Sequence, residues 1–389
     1  MISRVRGSPI PELNVGIVGG GIGGVAAAVA LYQAGVEVTV YERASQMREV
    51  GAGMMLWPNA TRVLQDMNLL SRLAANKDSS THFLVRASSG KILMKIALGN
   101  SDVPAICVRR ADLLNALLAA LPEKQLRLAH DFSCFDDSDD RVTVHFTNGQ
   151  AFEHDAVIGA DGLRSRVRQS LFGKSDPIYR GYQVWRGVGY YQGQAIPQHA
   201  NSETWGIGQR FGILHIGQGK FTWYATANLP ADYVEHDRKR DLKRLFADWH
   251  EPILDLIDST AEDDILRHPA YDNVPLKTWG RGRVTLLGDA AHPCTPNLGQ
   301  GGCMALEDAL VLARCFGERK SVKAALRRYE DLRRTRTRHV QQRSLLMGRI
   351  GQWQNRAVVG GRHVVTNLLP ARIFEYNLRR LYSYRSLAS

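Results

Sequence analysis

The stretch that decides the fold runs from Gly16 to Glu42, GIVGGGIGGVAAAVALYQAGVEVTVYE. It holds a G-x-G-x-x-G pattern at Gly19, Gly21 and Gly24. An apolar run from Asn14 to Val18 reads as a buried strand before it, and an Ala-rich segment from Gly23 to Gln33 reads as a helix after it. Val36 to Tyr41 supplies a second strand, so the chain opens with a β-α-β unit. In that setting the three glycines differ in what they allow. Gly19 permits the tight turn, Gly21 lets a pyrophosphate approach the backbone, and Gly24 lets the helix pack closely on the sheet. The helix N-terminus offers amide donors and the positive end of its dipole to phosphates. Glu42 ends the second strand, 18 residues after Gly24, where its carboxylate can accept hydrogen bonds from a ribose. The pattern specifies a dinucleotide site but does not distinguish NAD from FAD.

Beyond this unit, Pro58 to Leu73 reads as helix, Arg141 to Phe146 as a strand closed by the turn Thr147-Asn148-Gly149, and Ala156 to Gly159 as a short buried strand. Between Tyr179 and Asn228 the pattern changes to short runs rich in Trp, Tyr, Phe and Val, namely YQVWRGVGYY, ETWGIG, FGILHIG and KFTWYATAN. These predict strands of a separate antiparallel sheet. Helical periodicity follows around Lys243 to Ile257, a buried strand at Arg283 to Leu287, and helix from Gly301 almost to the end, with breaks expected at Gly317, Gly360-Gly361 and Pro370. The expected fold is therefore α/β (α+β): a Rossmann-like nucleotide domain in two parts, residues 1–178 and 278–318, an inserted antiparallel sheet at 179–277, and basic C-terminal helices at 319–389.

At 389 residues, 44% of them hydrophobic, the chain can bury a large core. No run approaches the roughly 18 apolar residues of a membrane span, and the start, MISRVRGSPIPEL, lacks the apolar centre of a secretory signal; a short loose arm and a cytoplasmic location are expected. Five scattered cysteines without a C-x-x-C pair argue for free thiols over disulfides or a metal site. The net charge of +12 is concentrated from Arg314 onward, where 18 Lys+Arg face 4 Asp+Glu. A solvated helical face is the simple reading, and an anionic partner the sharper one: a membrane surface contacted peripherally, a nucleotide or an acidic substrate. Nucleic acid is not expected, since no nucleic-acid module accompanies the charge.

Two later segments decide the cofactor. In GRVTLLGDAAHPCTPNLGQGG, residues 282–302, a strand leads to Gly288-Asp289, a Pro-containing loop, and Gly299-Gln300-Gly301-Gly302 at a helix start. An Asp there can accept hydrogen bonds from a ribityl chain, and the helix N-terminus can stabilise charge on a reduced flavin. In DAVIGADGLRSRVR, residues 155–168, a strand leads to Asp161-Gly162. With GAGMMLWPNA from Gly51 and VRRADLLNAL from Val108, these motifs resemble the class A flavoprotein monooxygenases, specifically the salicylate and urate hydroxylase and zeaxanthin epoxidase-like branch. The resemblance covers about Asn14 to Arg338. It implies FAD, with Glu42 on the ribose, Arg110 on the flavin side chain, Asp289 on the ribityl or pyrophosphate, Gly299 to Gly302 beside the isoalloxazine and Gly53 lining the cavity. It also implies NADH or NADPH received transiently near Asp161, and O2 activated as a hydroperoxide at flavin C4a that hydroxylates a small aromatic or heteroaromatic substrate. Epoxidation of an olefinic, terpenoid-like substrate is the alternative within enzymes, and a catalytically silent FAD-binding redox module the alternative outside them.

Substrate-side candidates lie in the aromatic strands. Arg186 could stabilise a phenolate or carboxylate, His215 could act as a base, and Tyr224 could face the pocket provided Trp223, its neighbour, faces away. Tyr182 has the same status. His292 is expected to be structural, Cys294 to lie near the flavin without a redox partner, and the run Arg333 to Arg338 to be a solvated helix surface.

Overall fold

The computed structural model describes residues 13–47, 53–74, 80–98, 101–197, 199–318 and 321–383. The N-terminal arm and Gly51-Ala52, which open the GAGMMLWPNA motif, lie outside them.

The first strand, Asn14–Val18, is flanked in parallel by Glu37–Tyr41 on one side and Ala156–Gly159 on the other. Val284–Leu286 pairs in parallel with Ala156–Gly159, and Leu126–Arg127 with Glu37–Tyr41. Gly280–Arg281 closes one edge antiparallel, making a six-stranded sheet from segments far apart in sequence. The strands are buried almost continuously because helix Ile22–Gln33 and a three-stranded antiparallel sheet, Phe132–Asp137, Val142–Phe146 and Ala151–His154, pack on the sheet. The fingerprint helix, Ile22–Gln33, buries nearly every residue of its first nine. Small Ala and Gly side chains let it pack both on the sheet and against helix Gly301–Glu318.

Seven strands form the second sheet, ordered Leu266–Asp272, Ile178–Tyr190, Lys220–Ala227, Gln209–Gly217, Ala200–Trp205, His82–Ala87, Ile92–Ala97. All four aromatic runs are strands here. The sheet is not purely antiparallel, however, because His82–Ala87 joins Ala200–Trp205 in parallel. Nor is it confined to 179–277, since two strands come from 82–97. These two carried no turn spacing that tied them to a distant sheet. One face packs on helices Arg238–Leu245 and Ile253–Ser259 through Trp185, Phe211, Trp223 and Phe246. Leu214 and Ile216 on the other face belong to the main core.

Helices Gly301–Glu318, Val322–Gly351, Arg356–Leu368 and Ala371–Tyr382 complete the chain. Gly360-Gly361 do not break the third, contrary to expectation; the chain turns instead at 352–355, where Asn355 Oδ1 accepts from the amides of Ala357 and Val358 and caps the new helix.

Candidate active site

Parallel strands place their C-terminal ends on one edge of the sheet, and this is why motifs over a hundred residues apart converge. Gly19, Glu42, Asp161 and Gly288-Asp289 each follow such an end. Gly19 has φ +113°, and a Cβ there would lie 2.4 Å from Ala160 O and 2.9 Å from Asp161 Cα, so the fingerprint loop and the Asp161-Gly162 turn touch backbone to backbone. Gly24 is required by the loop itself, as its Cβ would lie 1.9 Å from Gly19 O. Gly21 differs. A Cβ there would meet nothing within 4 Å, leaving the helix N-terminus open at the point where a phosphate would approach. Glu42 braces this loop by accepting from Gly20 N at 2.7 Å and Ala44 N at 2.9 Å.

Asp161 accepts from the amides of Arg166 (2.7 Å) and Val167 (3.1 Å), and so anchors the start of helix Arg166–Phe172. From that helix the buried Arg168 donates to Leu163 O at 2.6 Å and Ala290 O at 3.0 Å, tying the Asp161-Gly162 motif to the Gly288-Asp289 motif. Asp289 is reached by solvent, yet protein surrounds it closely enough for burial to raise its carboxyl above the usual range, with His292, Arg110 and Arg186 opposing. That combination marks the floor of a cleft.

Beneath the cleft, His292 Nε2 lies 2.6 Å from Asp308 Oδ2, and Arg333 Nε donates to Asp308 Oδ1 at 2.6 Å. Burial acts to raise the Asp308 carboxyl, but the adjacent His292 and Arg333 hold it down at about 2. Arg333 also pairs with Glu307 at 2.6 Å and is fully buried. The Arg333 to Arg338 run is thus not a solvated surface throughout: helix Val322–Gly351 packs on Gly301–Glu318, and the inward turn of the run meets two buried acids. Glu307 also accepts from Asn59 Nδ2 (2.6 Å), which in turn donates to Gln300 Oε1 at 3.0 Å.

At the Gly299-Gln300 loop, two buried donors, Gln300 Nε2 and Trp57 Nε1, have no hydrogen-bond partner among the described residues. Gly299 is left-handed at φ +59°, and a Cβ there would lie 3.3 Å from Trp57 Nε1. Buried orphan donors are costly unless a ligand satisfies them. With the open Gly21 cradle, the acid at the cleft floor and these donors, the residues fit a bound FAD. Gly302 is pressed by Met54, whose Cε would lie 2.5 Å from a Cβ at that position; Gly301 is unconstrained by comparison. Gly53 owes its smallness to the second sheet: its amide donates to Thr222 Oγ1 at 2.8 Å, and a Cβ would lie 2.6 Å from Thr222 Cγ2. Cys294 is a free thiol pushed well up by burial and by Asp289, which makes it a poor nucleophile.

Thr222 and Tyr224 share the face of their strand that meets the FAD domain, while Trp223 points to the helices behind, as strand alternation requires. One rung of the sheet aligns Glu203, Gly212, Tyr224 and Arg186 across four strands. The Tyr224 ring lies over Gly212, where a Cβ would be 2.1 Å from it. Its hydroxyl donates to Glu203 Oε2, and Trp205 Nε1 donates to Glu203 Oε1. Arg210 pairs with Glu203 at 3.4 Å and donates to Asn297 Oδ1 at 2.5 Å, which also accepts from Tyr182 at 3.2 Å. This network joins the seven-stranded sheet to the loop after Asp289. Burial, then Glu203, pushes the Tyr224 phenol well above its ordinary range. Arg186 lies within electrostatic reach of Arg110, Tyr182, Tyr224 and Asp289; burial and then Arg110 weigh against its positive charge. His215 does not join this group. It sits on the opposite face, paired in register with Phe221 and with ring centroids 4.4 Å apart.

Sequence reading missed Glu203 and Arg210, which are seven residues apart and face each other only through a hairpin. Arg210 had a signal, a charged residue in a largely apolar strand; Glu203, in the polar strand ANSETW, had none.

The FAD binding domain family model matches residues 12–344. The chain belongs to the class A flavin monooxygenases. This flavin monooxygenase is 39% identical to the aurachin C monooxygenase/isomerase of Stigmatella aurantiaca over 348 residues, 88% of this chain and 91% of that protein. It is 35% identical to the chloroplastic zeaxanthin epoxidase of Solanum lycopersicum over 84% of this chain, but spans only 53% of that protein. Among solved structures, Klebsiella pneumoniae HpxO in complex with FAD and uric acid matches with a TM-score of 0.90 at 27% identity, covering 96% of this chain and 98% of that one. The flavin monooxygenase therefore takes FAD as cofactor.

Proposed function

We propose that the enzyme hydroxylates a small, ionisable aromatic or heteroaromatic substrate, using O2 and reducing equivalents from NADH or NADPH. Bound FAD would supply hydride acceptance and oxygen activation. Glu42, the Gly21 amide region and Asp289 would hold its adenosine, pyrophosphate and ribityl parts, and the Gly299 to Gly302 loop its ring.

The observation that carries the substrate class is Arg186. It is a half-buried cation in register with Tyr224, destabilised by its crowded surroundings and by Arg110, and a phenolate or carboxylate ligand would relieve it. Tyr224 donates to Glu203, so its oxygen retains lone pairs to accept from a substrate hydroxyl. Together they would orient the ring and hold its negative charge while water is excluded. Epoxidation of an olefin is the second reading, favoured by the likeness to zeaxanthin epoxidase; it makes no use of the Arg186 charge.

The test is NAD(P)H oxidation and O2 uptake over a panel of hydroxylated aromatics, N-heteroaromatics and polyenes, with product structures from mass spectrometry and NMR. A hydroxylated aromatic product at near-unit coupling supports the proposal. Coupled turnover of polyenes alone would sink it.

A further inference from the structure

Helix Arg356–Leu368 is built inside out. Its inward positions are Val359, Arg362 and Thr366, all buried. Arg362 spends its guanidinium on Ile350 O (2.8 Å), Gly351 O (3.1 Å) and Gly206 O (2.8 Å). The outward arc carries Val358, Val364, Val365 and Leu368, the last 73% exposed. Helix Ala371–Tyr382 follows directly. It packs inward through Phe374 and Leu378 and presents Ile373 and a 61% exposed Tyr376 outward. Solvated helices ordinarily show the reverse arrangement, and exposed apolar side chains gathered on the outward side of consecutive helices mark an interaction surface.

The charges around this surface select the partner. Arg356, Arg372, Arg379 and Arg380 are all exposed beside it. The one acid of the two helices, Glu375, is turned inward and accepts from Ala97 N at 3.1 Å. A second copy of the chain docking here would bring two sets of guanidinium groups together with no acid between them. An anionic bilayer supplies both what the aliphatic arc and what the arginines lack. Helices of 13 and 12 residues are too short to cross a bilayer, and among the described residues no helix is long and apolar enough to do so. Amphipathic helices with basic residues and aromatics at the boundary lie in the headgroup plane.

We propose that this helix pair is a membrane-docking surface that seats the holoenzyme on anionic lipid, with Val364, Leu368, Ile373 and Tyr376 entering the headgroup–acyl boundary and the four arginines contacting lipid phosphate. The proposal is independent of the substrate reading.

Purified holoenzyme is co-sedimented with vesicles of phosphatidylglycerol and phosphatidylcholine (1:1) and with phosphatidylcholine alone, at 0.1 M and 0.5 M salt. Expected is binding to the anionic vesicles that weakens with salt. V364D/L368D should weaken it at least tenfold, and R372Q/R379Q/R380Q to a similar extent, since each basic residue near the surface is worth roughly fivefold. The altered side chains are exposed, Arg379 also bonding Tyr382, so flavin content and the circular dichroism spectrum should match wild type and separate lost docking from lost folding. Absence of binding to anionic vesicles overturns the proposal, as does binding that V364D/L368D leaves unchanged. Sedimentation velocity showing a dimer that V364D/L368D dissociates, without vesicle binding, would assign the surface to a second copy instead.

Discussion

Tyr224 and Glu203 stand two strands apart on one rung of the seven-stranded sheet, and the tyrosine reaches across the bare backbone of Gly212 to donate a hydrogen bond to the carboxylate. This fixes the tyrosine as a neutral phenol, since burial and Glu203 both oppose its ionisation. Tyr224→Phe should therefore lower kcat/KM roughly tenfold by loss of one positioning hydrogen bond, while the pH–rate profile between pH 6 and 9 keeps its shape. A displaced alkaline limb in the variant would show that Tyr224 titrates during turnover.

Arg186→Ala should retain FAD yet lose coupled oxygenation at least tenfold, about 1.4 kcal/mol of substrate positioning, with peroxide release rising to match. The stoichiometry of NAD(P)H consumed to product formed is the measurement. Wild-type coupling in this variant would remove Arg186 from the site. His215→Ala serves as its companion: placed on the far face against Phe221, it should cost stability before it costs turnover.

Two glycines of the fingerprint separate folding from binding. Gly21→Ala adds a methyl to open space, so thermal stability of the apoprotein should hold while FAD affinity falls tenfold or more. Gly24→Ala drives a Cβ to 1.9 Å from Gly19 O and should destabilise the apoprotein by roughly 1–3 kcal/mol or more. Equal effects of the two on apoprotein melting would contradict the assigned geometry.

The Asp308 carboxyl titrates at about 2 in the fold, below an unfolded value of roughly 3.9. Its depressed value contributes stability that is complete above about pH 4 and lost as pH falls toward 2. Arg333→Met should cost about 3–5 kcal/mol at neutral pH by leaving buried acids under-compensated, seen as a lower urea midpoint. A midpoint within error of wild type would mean that His292 and Arg336 suffice.

Among the cysteines, Cys134 alone is exposed; Cys107, Cys303 and Cys315 are buried. Burial pushes the Cys303 thiol up to about 12 and Cys294 higher still. Iodoacetamide at pH 7.5 should add one carbamidomethyl group to the native holoenzyme, located at Cys134 by peptide mass. Early labelling of Cys294 would indicate a more open cleft.

The nucleotide half of the molecule was legible because its signals are local. A glycine triplet, a strand end and an acid 18 residues on are dictated by backbone sterics within one β-α-β unit. Arg186 and Tyr224 could be named from their strands, but that they face each other depends on hairpin register. Glu203 and Arg210 became visible only through the same register. Strands 82–97 were opaque because their partner begins at Ala200, and no short-range pattern announces a parallel pairing across a hundred residues. The Arg333 to Arg338 run misled for a related reason: composition suggests solvent, but the packing of one helix on another decides which arginine turns inward.

The strand order of the FAD sheet also constrains how the chain is made. Asn14–Val18 cannot sit between its final neighbours until Ala156–Gly159 exists, and the edge beyond waits for Val284–Leu286. Arg168 then needs Ala290, and Asp308 needs Arg333, before either buried charge is compensated. During synthesis the outer edge of Ala156–Gly159 must remain unpaired while residues 179–277 are translated, a state open to aggregation and to chaperone binding. Flavin capture by the nascent chain would then come late, after the Gly299 to Gly302 loop has emerged, and bound FAD would report that translation has passed that point.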